Sequence, residues 1–312
     1  ASKILAAVST AQGEILAKKR LPTMPERSPG EVIDDISHNL EEIKKQVGRF
    51  GDLWLGTAAA TPGPFSHPEG LVEDSPNLGW KRVHLARELG NRLGGEVLVE
   101  KDTNMAVLGE YYFGQNRKYR HIIYITVSTG IGGGLLLDGQ LYRGAGGGAG
   151  EIGHIMMEPD GPLCGCGRKG CLEAVASGQA MARIAEQLRS ASWGSQYGFP
   201  EGPWGAVEIG QAARQGDSQA IKLVSRVRNY LGDAIANLVN TFNPQLVVLG
   251  GSMALGWKDI LKPGLKEYIC KRVFPLNARF FNLEFTHLGD DVVLLGCVAA
   301  LLHNRSAAQP QA

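Results

Sequence analysis

The run Cys164-Gly-Cys166-Gly-Arg-Lys-Gly-Cys171 places three thiols within eight residues, and His154 lies ten residues upstream. Three thiolates and one imidazole make the closed, four-coordinate donor set of a structural zinc ion. The intervening glycines let the backbone wind tightly around an ion. Free thiols beside an unrelated histidine are the plain alternative, but three cysteines this close argue for a shared task. A zinc ribbon that reads DNA would need a second paired-cysteine knuckle and a basic face, and the sequence offers neither. Cys270 and Cys297 lie in apolar helical contexts and read as buried side chains.

Asp102 follows a strand pattern over Glu96–Glu100, at a strand's carboxyl end, where ligands of α/β sheets gather. A carboxylate held there can accept a proton from a hydroxyl. Capping a helix that starts near Asn104 is the plainer role, and the two are compatible. The 42 glycines form blocks at 130–134, 144–153, 161–170 and 250–251 rather than a low-complexity tract. Grouped at strand ends, they point to loops that approach a ligand closely.

Strands and helices alternate around these residues, so the class is α/β. Strands are expected at 3–10, Ile15–Lys19, Leu53–Ala60, Glu96–Glu100, His121–Ser128, Gly134–Leu137, Leu246–Leu249 and Asn282–His287. Apolar spacing predicts helices at 30–48, 81–94, 104–113, 173–192, 217–241, 258–270 and 296–303. Thr61–Asn77 reads as a Pro- and Gly-rich loop, and 194–205 as an exposed one.

Length suits two domains, and 44% hydrophobic residues are enough for two cores. The net charge of +1 gives no electrostatic footprint for nucleic acid or an anionic membrane. The first twenty residues carry Lys3, Glu14, Lys18, Lys19 and Arg20, which leaves no room for a signal-peptide core. The apolar stretch Ile122–Leu137 is interrupted by glycines and falls short of a membrane span. A cytoplasmic location is expected.

The combination of Thr129-Gly-Ile-Gly-Gly-Gly134, Gly148-Ala-Gly-Glu151-Ile-Gly-His154 and the cysteine run ending Gly170-Cys171-Leu-Glu173 resembles the ROK family of repressors, open reading frames and sugar kinases. Thr61-Pro-Gly63, Ser75-Pro-Asn77, Asp102-Thr-Asn104 and Leu249-Gly-Gly-Ser252 extend the resemblance over nearly the whole chain. It implies a two-lobed, actin-like ATPase fold of the hexokinase type. The small lobe would be 1–104 with the C-terminal helix 298–312, and the large lobe 105–297. The implied ligands are ATP, Mg2+, a structural zinc held by His154, Cys164, Cys166 and Cys171, and a sugar between the lobes.

By the same resemblance Asp102 is the catalytic base, and Glu151, His154 and Glu173 bind sugar hydroxyls, with Gly63, Asn77 and Lys101 as further substrate candidates. Thr129, Gly130, Gly132 and Gly133 form a phosphate loop, and Gly250 and Gly251 the adenosine-side loop. One nitrogen of His154 would bind zinc while the other donates to the sugar. A homodimer or homotetramer is expected, with no nucleic-acid or membrane partner.

Three departures qualify the resemblance. Family kinases begin with a strand ending in Asp-x-Gly-Gly-Thr, whereas this chain opens at Ala1-Ser2-Lys3-Ile4, where that motif should finish. The expectation is a truncation or a misplaced start that leaves backbone groups unpaired. Lys101 replaces the usual Asn, and Ser128 the usual Gly. The implied activity is phosphorylation of a hexose, glucose first, with N-acetylmannosamine, N-acetylglucosamine or fructose as alternatives. A weakly active, sugar-sensing member and a transcription regulator are the readings that compete with it.

Overall fold

The computed structural model describes residues 3–23, 26–48, 54–63, 65–66, 69–75, 78–114, 116–190 and 203–308. Two compact units emerge. The first takes residues 1–118, 141–149 and 291–312, and the second 119–140 and 150–290. The division therefore differs from the expected boundary at residue 104: the helix after Asp102 and a short segment at 141–149 go with the first unit.

The first unit opens with β1 (Lys3–Ser9) and β2 (Ile15–Pro22), an antiparallel pair that reverses at Gly13, whose φ of +87° favours glycine. Helix α1 (Pro29–Val47) starts where its sequence says it should. Ser28 and Glu31 form a reciprocal capping box and Pro29 occupies the first turn. Its apolar stripe places Val32 and Ile33 in one core and Ile43 in a second, against Ala6 and Val8. Parallel strands β3 (Thr57–Thr61) and β7 (Val97–Lys101) form a separate ladder. Among the described residues no ladder joins β1 to β3.

Between β3 and β7 the expected loop is instead a small meander of β4 (Phe65–Ser66), β5 (Leu71–Ser75) and β6 (Trp80–His84). Val72 and Trp80 turn inward onto the core of α1. The expected helix 81–94 thus begins only at Leu85, as α2 (Leu85–Leu93), because its first turn is spent on β6. Arg82, at φ +51°, marks the irregularity. Helix α3 (Asp102–Phe113) is buried on nearly every side. It crosses the C-terminal helix Val292–Ala308 at glycines: a side chain on Gly109 or Gly296 would run into the Val292 or Met105 carbonyl.

The second unit is built on one sheet. Its strands are β8 (Ile122–Val127), β9 (Ile131–Leu137), β11 (Leu246–Gly250) and β12 (Asn282–Phe285), and with β10 (Gln140–Leu141), whose second residue is grouped with the first unit, the order is β10-β9-β8-β11-β12. β8 runs antiparallel to β9 and parallel to β11, and β11 parallel to β12. The unbroken apolar runs of β8 and β11 match strands covered on both faces.

The expected helix 173–192 is two helices, α4 (Leu172–Ala176) and α5 (Gly178–Ser190), parted at Ser177. Ser177 turns extended, and its Oγ caps the new helix by accepting from Ala180 N at 3.1 Å. Helix α6 (Ala206–Arg214) has no counterpart among the expected elements. Most of the expected loop 194–205 lies outside the described residues. Helix α7 (Ser218–Phe242) has the expected Asp217 cap and ends on left-handed Asn243 before Pro244. The expected helix 258–270 is broken: α8 (Ser252–Gly256) and α9 (Lys258–Leu261) precede left-handed Gly264, and α10 (Leu265–Cys270) and α11 (Pro275–Ala278) follow. No helix among the described residues is long and apolar enough to cross a membrane.

Candidate active site and metal centre

Four donor atoms converge in the second unit. His154 Nδ1 lies 3.6 Å from Cys164 Sγ, and Cys166 Sγ 3.7 Å from Cys171 Sγ. All four donor atoms fall within 4.8 Å of one another. A tetrahedral zinc, with Zn–S about 2.3 Å and Zn–N about 2.0 Å, sets S–S edges of about 3.8 Å and S–N edges of about 3.5 Å. The donor set and its spacing therefore fit zinc.

Local backbone chemistry builds this cluster. A 3-10 turn, Ile152–His154, delivers the imidazole. Isolated bridges pair Met156 with Cys171 and Leu163 with Lys169, closing a knuckle between them. Cys164 N donates to the Arg168 carbonyl at 2.8 Å, and Gly167 N to the Cys164 carbonyl at 2.9 Å. Gly167 and Gly170 take φ of +84° and +69°, and a side chain on Gly170 would run into the Glu158 carbonyl. Burial pushes the Cys164 thiol up and Cys171 up to about 12. Cys166 is exposed and is drawn down to about 6, chiefly by a hydrogen bond from the Arg168 backbone. Two buried thiols that resist ionising alone are what a bound dication would hold as thiolates.

The same imidazole faces outward on its other edge. His154 Nε2 lies 3.9 Å from Glu151 Oε2, and the Glu151 side chain is 47% exposed. With Nδ1 on a metal the ring proton belongs on Nε2, where it can donate. Glu173, on α4, sends Oε2 to accept from Ile131 N at 2.8 Å. A side chain on Gly130 would meet that carboxylate.

The expected phosphate loop 129–134 is shorter in the structure. Only Ser128–Gly130 form the turn, closed by Ser128 N donating to the Gly130 carbonyl at 2.9 Å. Gly132 and Gly133 are ladder residues of β9, opposite Thr126 and Ile125. Gly133 has no room for a side chain because Ile152 packs over it. The 3-10 turn that carries His154 thus packs directly on Gly133. Gly250 and Gly251 end β11 beside β8, where a Gly250 side chain would strike the Tyr124 hydroxyl. Gly251 has φ of +90°. Ser128 Oγ and Ser252 Oγ lie 2.8 Å apart, so the unusual serine ties the two glycine turns together.

The first unit holds Asp102, Lys101 and Gly63. Asp102 opens α3 directly after β7, and Thr61 pairs with Lys101 in the β3–β7 ladder. Gly63, at φ +95°, thus leaves the neighbouring strand at the same carboxyl end. Asp102 is the first residue of α3 rather than its cap, a position that Lys101 holds without a side-chain cap bond, and its Oδ1 accepts from the adjacent Thr103 N at 2.7 Å. Asn77 lies outside the described residues.

Sequence reasoning missed Glu100. It is 3% exposed and accepts from Lys101 N at 2.9 Å, Asn104 Nδ2 at 3.0 Å and Arg143 Nε at 2.6 Å. The segment 143–149 is closed by Ala149 N donating to the Arg143 carbonyl at 3.0 Å, and Lys101 Nζ reaches the Ala149 carbonyl at 3.4 Å. The available signal was an acidic residue ending the strand run Val-Leu-Val, where burial of a carboxylate requires a partner.

A family model described as ROK family matches residues 1–305. Over 294 residues the chain is 34% identical to a glucokinase of Thermotoga maritima, covering 93% of this chain and 90% of that one. It is 31% identical to a putative xylose repressor of a Caldicellulosiruptor species, covering 95% of this chain and 74% of the relative. Among solved structures, a ROK family glucokinase from Streptomyces griseus in complex with glucose and AMPPNP is 30% identical. It superposes with a TM-score of 0.79 over 96% of each chain.

Proposed function

We propose that this chain, which belongs to the ROK family and has its hexokinase-type α/β fold, transfers the terminal phosphoryl group of ATP to a hydroxyl of a hexose, with glucose as the first candidate. The observation that carries the reading is the two-faced imidazole of His154. Its Nδ1 lies toward Cys164 and its Nε2 toward Glu151, which supports one ring serving a metal on one edge and a sugar hydroxyl on the other. Kinship with glucokinases at 34% identity supports glucose over the other hexoses.

In this reading Glu151 and Glu173 accept from sugar hydroxyls, and His154 Nε2 donates to one. Asp102 takes the proton of the attacking hydroxyl as its oxygen bonds to the γ-phosphorus and the bond to the β-phosphate oxygen breaks, releasing ADP. The Ser128–Gly130 and Gly250–Gly251 turns offer backbone N–H groups to phosphate oxygens without side chains in the way. Mg2+ bound with ATP would supply charge neutralisation for the transferred phosphoryl group. His154, Cys164, Cys166 and Cys171 would hold zinc, which would set the tautomer and direction of the imidazole.

Kinship with a xylose repressor supports a second reading, a sugar sensor without turnover. ADP release from Mg-ATP separates the two, run with glucose, mannose, fructose, N-acetylglucosamine and N-acetylmannosamine. Release that depends on one sugar supports the kinase. A sugar that raises the melting temperature with no ADP release from any member of the panel supports the sensor and overturns the kinase.

A further inference from the structure

We propose that Glu173 fastens the Ser128–Gly130 turn, and so makes the metal-clamped, sugar-facing side of the second unit and its nucleotide-facing turn one mechanical piece. The proposal rests on the kinase reading for the identity of the two ligands, but the fastening itself does not.

Cys171, the residue just before α4, is 1% exposed and presents its thiol to the other three donors. Leu172 N donates to the Ile155 carbonyl at 2.9 Å, so the first residue of the helix is also pinned to the stretch just after His154. Glu173 comes next, with almost no freedom of backbone position. Its Oε2 accepts from Ile131 N at 2.8 Å, and its carboxylate fills the space over Gly130.

The α4–α5 junction adds two bonds to the same turn. Gly178 N donates to the Ser128 carbonyl at 2.7 Å, and Gln179 N to the Thr129 carbonyl at 3.0 Å. Ser128, Thr129 and Ile131 are thus each held from one helical corner, and Ser128 Oγ extends the link to Ser252 beside Gly250–Gly251.

An ionised carboxylate has about four lone-pair sites on two oxygens. With Oε2 committed to Ile131 N, a sugar hydroxyl can donate to the other oxygen. Sugar then orders a side chain that already shapes the turn, and nucleotide orders a turn that already holds the side chain. Linkage makes such an effect reciprocal: each ligand raises the affinity for the other by the same factor.

The test uses the full chain with and without zinc, and Glu173→Gln and Glu173→Ala, with zinc content and far-UV circular dichroism confirming that each variant folds. Amide hydrogen exchange at 128–132 is read first, with no ligand present. Exchange at Ile131 is expected to rise about tenfold in E173A and about threefold in E173Q, with a rise also on chelation. AMPPNP–Mg affinity is then measured with and without glucose. Glucose is expected to tighten it about fivefold in the unaltered chain, within the usual range for coupled sites, and not at all in E173A. Unchanged exchange at Ile131 in folded, zinc-loaded variants would overturn the proposal. So would glucose coupling that survives E173A. Faster exchange in a protein that binds no nucleotide would uphold the fastening and sink the kinase reading alone. Should E173A fail to fold, E173Q decides the question, since it keeps the shape and weakens the acceptor.

Discussion

The candidate residues of the two units are held in place by different physics. In the second unit the groups are placed by backbone. Glycines at 130, 133, 150, 153 and 170 leave no room for side chains, and the thiols converge through turns that few residues adopt. In the first unit Asp102 is placed by charge. It follows a strand whose penultimate residue, Glu100, is buried against Arg143, and the segment 143–149 is closed on that strand end by hydrogen bonds. A site of the first kind is most sensitive to an added methyl group where backbone stands in the way, as at Gly153 and Gly170. The second kind tolerates added volume and fails when a charge loses its partner.

The sharpest way to break the contrast is at the metal. Structural zinc contributes on the order of 10 kcal/mol in small zinc-binding peptides. Cys171→Ser is therefore expected to bring zinc below about half an equivalent per chain and to melt the 152–173 segment first, read by metal analysis and local hydrogen exchange. A variant that stays fully loaded would remove the cluster from the comparison.

Arg143→Ala comes next. It leaves the Glu100 carboxylate buried without its cation, at a cost of about 3 kcal/mol. The expected fall in melting temperature of the first unit is about 5–10 °C, and Glu100→Gln combined with Arg143→Met should recover most of it. No recovery in the double variant would mean that Arg143 acts through packing rather than charge.

Gly130→Ala should cost less, about 1–2 kcal/mol, because the flexible Glu173 carboxylate can withdraw at the expense of its bond to Ile131 N. Calorimetry of G130A alone and with E173A checks this. If the mechanism is right, the second substitution removes most of the cost of the first.

The smallest effect is with pH. Without metal, Cys171 is pushed up to about 12 by burial, whereas a thiol in an unfolded chain ionises near 8.5. A raised folded value stabilises the protein fully below about pH 8.5, and that contribution fades as pH climbs toward 12. The metal-free protein should therefore lose more stability between pH 9 and 11 than the zinc-loaded protein, whose thiols are already thiolates. Parallel melting curves for the two forms would contradict this.

The contrast also explains which features were readable in advance. Cysteines and glycines announce themselves by spacing, so the convergence of His154 with the three cysteines and the approximate position of the glycine turn were legible. The position of Asp102 was legible because it directly follows a strand. The Glu100–Arg143 pair was not, since its members lie 43 residues apart and only the fold joins them. Nor was the division of labour among the glycines of 130–134, where Gly130 serves the turn and Gly133 packs under Ile152. Local pattern also failed at Trp80–His84, where apolar spacing compatible with a helix was overridden by pairing with β5. At Ser177 and Gly264 single residues stop helices that periodicity alone would continue.

The most direct test of the kinase reading is glucose-dependent ADP release from Mg-ATP by this chain, measured beside Asp102→Asn. The expected result is release that requires the sugar, falling by about 10²–10⁴ in the variant while glucose still raises its melting temperature. Release that is indifferent to Asp102, or glucose binding with no ADP formed by either protein, would contradict it.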